Sequence, residues 1–277
     1  MARFAVFVFA AMFTDLSTVS QSADATRVLA DMREALGGDA IIGVRAFSVE
    51  TAEQLYVVDR ALNTDVEWVS VLPDRFIQVR RLKNQLVDLT MTMGFTGDEP
   101  IYVVDGSVLG RRPPIQSPAP TTAGPPASPR ARLIAARQLF SRLVIAMLGI
   151  TAAYPLDAAY VAQETLDGKS VHVVELTAAD GYQSRLYVDT ATHLPRMINW
   201  MGQPLVPPDR IGPSGDPAVD LPLVERRIYF SDYKNTGGLN WPHRLKEVVA
   251  RQTVSDIRLG KFKINPEIDP KRFDPSR

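Results

Sequence analysis

Apolar and polar residues alternate along most of the chain, and this alternation predicts β-strands. Between residues 87 and 95 an apolar side chain stands at every second position, which is typical of a strand with one buried and one hydrated face. Similar segments lie at residues 45–59, 65–72, 75–82, 100–104, 159–166, 171–177, 183–189, 196–201, 224–233, 244–251 and 254–264. Because open sheets of this size tend to curl, we expect one curved antiparallel sheet, a half-barrel of about ten to twelve strands.

Short motifs that contain glycine indicate where the chain reverses between these strands. Asp-Gly pairs at residues 105–106, 167–168 and 180–181 are typical of tight hairpin turns, and residues 236–240 indicate another reversal. Such short connections favour antiparallel neighbours.

Two segments have helical periodicity instead. In residues 26–36 the apolar side chains fall on one face, and two glycines end the segment. The second helix is predicted over residues 129–148, with Ser128 as N-cap and Gly149 as C-cap. We therefore expect a mainly β fold whose two principal helices lie on the concave side of the sheet.

The helix at residues 129–148 has an apolar stripe and a polar face. The stripe consists of Leu133, Ala136, Phe140, Val144 and Met147. Arg130, Arg137, Ser141 and Arg142 are expected on the opposite, hydrated face. Such a stripe fits a static core helix or a mobile cover over the sheet.

The N-terminal residues resemble a secretory signal. An apolar run at residues 4–13 follows Arg3, and it is too short for the roughly 20 residues of a membrane-spanning helix. Ala23-Asp24-Ala25 is a small-residue cleavage motif. We expect a signal peptide at residues 1–23, cleaved between 22 and 25, and a soluble periplasmic protein; the alternative is an uncleaved membrane anchor.

The remaining chain, residues 24–277, is interpreted as one domain with two proline-rich loops at 113–129 and 204–222. Over the full chain, 31 basic and 31 acidic residues cancel, so nucleic acid is not an expected partner. The chain has no cysteine and no catalytic or nucleotide-binding motif, and His172 alternates with Val174 and Leu176 as a core histidine would. We expect no enzyme activity, no metal and no cofactor.

Five short segments carry a resemblance to a known family. They are ALGG at residues 35–38, LPDRF at 72–76, VDTATHLPR at 188–196, FSDYK at 230–234 and GLNWP at 238–242. In this order they are similar to segments of the periplasmic outer-membrane lipoprotein carriers of the LolA-like superfamily. The resemblance implies an incomplete antiparallel barrel around helices, with an apolar cavity that holds acyl chains. The two proline-rich loops and the greater length depart from the small carriers.

Candidate cavity residues come from the strand at residues 87–95 and the stripe of the second helix. They are Val87, Leu89, Met91, Met93, Phe95, Phe140, Val144 and Met147. Flexible thioethers suit variable apolar ligands, although methionine also fills gaps in a closed core. The resemblance further implies that Arg45 points inward and contacts a helical lid; the alternative is that Arg45 precedes its strand and faces water.

These observations predict an exported, monomeric binding protein that carries or senses a lipid or the acyl chains of a lipoprotein. A membrane-associated receptor protein is a possible second partner. One alternative is an interaction or sensor module with the same fold and a filled core. Another is a hydrolase of an uncharacterised type.

Export has a direct test. When the chain is expressed with its own leader in a Gram-negative host, N-terminal sequencing of the periplasmic protein should begin between Ala23 and Thr26. Recovery of intact Met1 in the membrane fraction would contradict cleavage and support the anchor.

Overall fold

The computed structural model describes residues 16–57, 60–84, 87–108, 128–150, 154–204 and 222–274. The apolar run at residues 4–13 and nearly all of both proline-rich segments lie outside these ranges. The helices are α1 (Leu16–Leu36), α2 (Asp39–Ile42) and α3 (Pro129–Leu148), and a 3-10 turn spans Pro270–Phe273. The strands are β1 (Ala46–Val57), β2 (Arg60–Val71), β3 (Arg75–Lys83), β4 (Val87–Thr96), β5 (Glu99–Val108), β6 (Asp157–Leu166), β7 (Lys169–Thr177), β8 (Gln183–Asp189), β9 (Pro195–Gly202), β10 (Val224–Thr236), β11 (Leu239–Val249) and β12 (Gln252–Ile264).

Within the described ranges these strands form one 12-stranded antiparallel sheet, which confirms the predicted fold class. Its order is β5-β4-β3-β2-β1-β12-β11-β10-β9-β8-β7-β6. The chain steps outward from β1 to the edge strand β5, and α3 then connects this edge to the opposite edge at β6. The strands from β6 to β12 return to the centre, where β12 pairs with β1. The sheet therefore stays open, with β5 and β6 as its edges.

Each long helix packs beside one edge of the sheet. Helix α1 contacts β6, β7 and β11, whereas α3 contacts β5 and β4 and reaches β9 and β11. The two helices thus cover the concave face of the sheet, α1 near the edge strand β6 and α3 near the edge strand β5.

The predicted bounds of α3 are confirmed by its caps. Ser128 Oγ accepts a hydrogen bond from the backbone N–H of Ala131 at 3.2 Å, and Gly149 has the left-handed conformation with φ 61°. Helix α1 is described from Leu16 onward, so it extends at least ten residues before the start at residue 26 that the periodicity predicted. The small residues before Thr26 contain neither proline nor glycine, so nothing in them stops the helix. The predicted cleavage positions lie inside α1.

The prediction of a turn at residues 105–106 is wrong. Both residues lie inside β5, and the chain reverses instead at Gly97 and Asp98. A Cβ atom on Gly106 would lie 2.0 Å from the carbonyl oxygen of Asp88 on the neighbouring strand. Glycine is required there for close approach of two strands and not for a reversal.

The two halves of α3 have different surroundings. Every residue from Phe140 to Leu148 is buried, while residues 131–135 and 137–139 are only half-buried. The expectation that Ser141 and Arg142 face water is therefore wrong. Helix α1 covers one side of the end of α3, because a Cβ atom on Gly149 would lie 3.3 Å from Arg33 Cβ.

No helix in the described part of the chain is long and apolar enough to cross a membrane.

An aromatic cluster fastens α3 to the sheet. The ring of Phe140 stacks on Phe76 of β3 with centroids 4.9 Å apart, and it meets Phe95 of β4 edge-on at 5.6 Å. All three side chains are fully buried. Dispersion between such large, close rings adds to the gain from burying them.

Truncation of this anchor should destabilise the whole fold. We expect Phe140→Ala to lower the free energy of unfolding by about 3–5 kcal/mol, because it opens a cavity where three rings meet. Urea unfolding followed by circular dichroism measures the change. The control is Val161→Ala at a position 40% exposed, which should cost about 0.5 kcal/mol or less. A loss at Phe140 no larger than that of the control would show that the cluster does not anchor α3.

Candidate binding cavity

A cavity of about 500 Å³ lies between α3 and the concave face of the sheet. This volume falls in the range of about 300–1,000 Å³ found for small-molecule sites. Helix α3 forms the cover through Ala135, Ala136, Leu139 and Leu143. The cavity therefore lies mainly under the less deeply buried half of α3.

Apolar side chains from many strands form the walls. They are Leu55, Trp68, Met91, Met93, Ile228, Leu245, Val254 and Ile257. Most stand at inward positions of their strands; for example, Met93 lies opposite Gln78 and Tyr102, which also line the cavity. Met201 and Leu223 border the cavity and are 57% and 51% exposed. Apolar surface thus continues from the cavity to its mouth.

The predicted cavity residues divide into three places. Met91 and Met93 line the cavity. Phe95 and Phe140 belong to the aromatic cluster, and Val144 and Met147 are fully buried in the main core. Val87 and Leu89 pack with Leu62 and Leu82 in a small cluster to which Met91 also belongs. The filled-core alternative describes the surroundings of Val144 and Met147. Met93 is half-buried and faces the cavity, whereas Met91 is buried and both lines the cavity and packs in the small cluster.

Arg45 lies one residue before β1 and is exposed. Its Nη1 donates a hydrogen bond to the carbonyl oxygen of Ile42 at 2.6 Å, at the end of α2. This placement matches the alternative in which Arg45 precedes the strand, and it puts the guanidinium at α2 instead of beneath α3.

A buried ion pair forms a polar patch in the cavity wall. Glu53 of β1 has a fully buried side chain, and its Oε2 accepts a hydrogen bond from Arg80 Nε at 2.9 Å. Thr64 Oγ1 and Ser255 Oγ each donate to the same carboxylate at 2.6 Å. Every oxygen of Glu53 is therefore hydrogen-bonded, which offsets the cost of burying its charge.

Sequence reasoning did not identify this patch. Glu53 and Ser255 are 202 positions apart in the chain and meet only because β12 pairs with β1. The sequence does contain a signal, because Glu53 and Arg80 are charged residues at positions that the alternation assigns to the inward, apolar face of their strands. Periodicity alone gives no indication that two such interruptions meet.

A second polar cluster lies at the β9 side of the cavity. The guanidinium carbon of Arg142 lies 4.1 Å from the ring centroid of Trp200, and that of Arg226 lies 5.8 Å from the same centroid. Arg226 is paired with Glu247, to which its Nε donates at 3.2 Å. Arg142 donates from Nη1 to Tyr182 Oη at 3.0 Å. Two cations thus flank one indole, but only Arg226 has a carboxylate partner among the described residues.

The histidines do not form a metal site in the described part of the chain, where no group of three ligating side chains occurs. His172 is half-buried, and its Nδ1 lies 3.2 Å from Tyr160 Oη. Burial lowers the pKa of its imidazole, and the nearby Arg27 guanidinium acts in the same direction. The uncharged ring therefore predominates near neutral pH, as a packed histidine requires.

Comparison with known proteins identifies the fold. No protein-family model matches the sequence, and no curated protein matches it significantly. Among solved structures, a LolA superfamily protein of Nitrosomonas europaea is 14% identical, with a TM-score of 0.53 over 91% of this chain and 98% of its own. A DUF1329 family protein of Desulfovibrio piger is 12% identical, with a TM-score of 0.53 over 94% and 98%. The chain has the LolA-like fold that the short segments predicted.

A double-mutant cycle tests whether Glu53 and Arg80 form a buried ion pair in the cavity wall. Glu53→Leu or Arg80→Met alone should each lower the free energy of unfolding by about 3–5 kcal/mol, since each leaves one buried charge without its partner. The double variant should cost about 1–3 kcal/mol less than the sum of the two. Urea unfolding of all four proteins gives the coupling.

The control is the exposed pair Lys83–Asp88, whose side chains are 80% and 64% exposed at 3.6 Å. Its coupling should stay below about 1 kcal/mol. Equal coupling in both cycles would contradict a buried ion pair at Glu53.

Proposed function

We propose that this protein binds the acyl chain of a lipid or lipoprotein in the cavity beneath α3, and that it works as an exported carrier or sensor in the periplasm. The cavity is the observation that supports this proposal. It has apolar walls, it lies inside a LolA-like fold, and it is bordered by the exposed side chains of Met201 and Leu223. The apolar run and small-residue motif at the N-terminus support export.

The size of the cavity favours a single chain. A volume of about 500 Å³ lies within the range of about 300–1,000 Å³ found for sites that hold one small molecule. Full enclosure of a roughly 16-carbon chain would contribute on the order of 12 kcal/mol, at about 0.8 kcal/mol per methylene. A transfer protein must release its ligand, so the open mouth suits carriage better than a sealed chamber would.

Residues 129–139 of α3, the cover half, have weaker contacts with the sheet than the half that begins at the anchor residue Phe140. Arg137 of α3 donates from Nη2 to Asp98 Oδ1 at 2.7 Å and to the carbonyl oxygen of Gly97 at 2.8 Å, both in the β4–β5 turn. The carboxylate of Asp98 is 92% exposed, so water competes for this ion pair. This exposed ion pair and the half-buried side chains of residues 131–135 and 137–139 support a cover half of α3 that opens at lower cost than the half that holds Phe140. Ligand would enter beneath the cover half while the anchor stays packed.

Ligand binding has a direct assay. An apolar fluorescent probe should bind the native protein, and long-chain amphiphiles should displace it. Met93→Trp should weaken probe binding roughly tenfold or more, because the indole occupies volume that the ligand needs. Titration by fluorescence measures the affinity, and circular dichroism checks the fold.

The matched control is Thr90→Trp, which places the same side chain on the outward face of the same strand. Its affinity should equal that of the native protein. A native protein that binds no apolar probe would refute the proposed function, and equal losses in both variants would place the ligand elsewhere.

A further inference from the structure

Resting on the proposed function, we infer that the ligand has an anionic head group, a carboxylate or a phosphate, and that Arg142 is the residue that binds it. The acyl chain would then extend from the β9 side of the cavity toward Met91 and Met93 on β4.

The first argument is the unbalanced charge of Arg142. The residue is 9% exposed, and its Nε is buried without a hydrogen-bond partner. Its hydrogen bond to Tyr182 uses one of the five N–H donors of the guanidinium. Among the described residues no carboxylate forms an ion pair with it. A buried cation normally has such a partner, because an isolated charge is costly to remove from water.

The second argument is the contrast with two of the other arginines that line the same cavity. Arg80 is paired with the buried Glu53, and Arg226 is paired with Glu247. Both charges are therefore cancelled within the protein. The charge of Arg142 is left for a group that the protein does not itself supply in the described residues.

The third argument is that the guanidinium is already oriented. Its carbon lies 4.1 Å from the Trp200 ring centroid and 5.8 Å from that of Tyr182. Aromatic faces stabilise a cation without neutralising it, and they restrict its motion. A planar, oriented guanidinium binds carboxylate or phosphate oxygens through paired hydrogen bonds. Arg142 also lines the cavity, so its side chain borders the space that a bound chain and its head group would occupy.

The test compares ligands that differ only in the head group. Palmitate and hexadecanol have the same chain, but only palmitate is anionic at about pH 8. Each ligand is titrated below the concentration at which it aggregates in water, and each should displace the fluorescent probe. We expect the native protein to bind palmitate roughly ten- to a hundredfold more tightly than hexadecanol, as a charge-assisted hydrogen bond implies. Palmitoyl lysophosphatidic acid tests the phosphate head group, and acetate and inorganic phosphate test the head groups alone.

Three variants assign this preference to Arg142. Arg142→Met should reduce the ratio of palmitate to hexadecanol affinity to about one while hexadecanol binding is kept within about twofold. Arg142→Lys should retain part of the ratio, since it keeps the charge and loses the paired donors. The control Arg130→Gln removes an exposed charge from the same helix and should leave the ratio unchanged.

The outcomes separate the two proposals. Equal binding of palmitate, lysophosphatidic acid and hexadecanol by the native protein would overturn the role of Arg142 and leave the proposed function intact. A ratio that survives in Arg142→Met would do the same. Failure of every amphiphile, with the fold intact, would overturn both proposals. Preference for palmitate alone or for lysophosphatidic acid alone would support the inference and identify the head group; acetate or phosphate displacing the probe would contradict a need for the chain.

Discussion

The contact of Phe140 with Phe76 and Phe95 determines how the rest of the molecule is arranged. An open sheet with an apolar concave face needs a cover, and this contact fixes the place where α3 rests on it. Beyond Phe140 the helix is surrounded by the sheet and by α1, so that part is ordinary core. Before Phe140 the same helix spans a gap. One aromatic anchor thus divides a single helix into a core half and a cover half.

The polar groups of the cavity follow from this division. On the sheet, Glu53 and Arg80 neutralise each other, and Thr64 and Ser255 complete the bonding of the carboxylate. That wall can stay dry or face an acyl chain without an unpaired charge. Arg142 lies two residues past the anchor, where the helix is buried yet still borders the cavity. Its position explains how a charge lies in the interior with two aromatic rings beside it.

Much of this fold was predictable from local patterns, because a period of two identifies strands and caps define α3. The errors arise where tertiary contacts decide. Gly106 serves strand approach instead of a turn, and Arg142 is buried because α3 is covered on more sides than a single stripe suggests. Met93 and Val144 are both predicted cavity residues, yet only Met93 borders open space. The position of α3 over the sheet decides which residues line the cavity and which lie in the core. The local periodicity of the sequence gives no information about that position.

Affinity and selectivity would come from different parts of such a site. The free energy gained by burying methylenes is proportional to the area buried, so it does not distinguish chains of equal length that differ in the head group. A wall that held a chain tightly enough to discriminate by itself would also prevent release. A buried guanidinium acts differently, because it favours an anionic head and leaves a neutral one with unpaired donors. If Arg142 recognises the head group, the apolar wall needs to bind the chain only weakly, and the cover half of α3 needs only weak contacts with the sheet. The protein would then remain selective for its ligand and still release it.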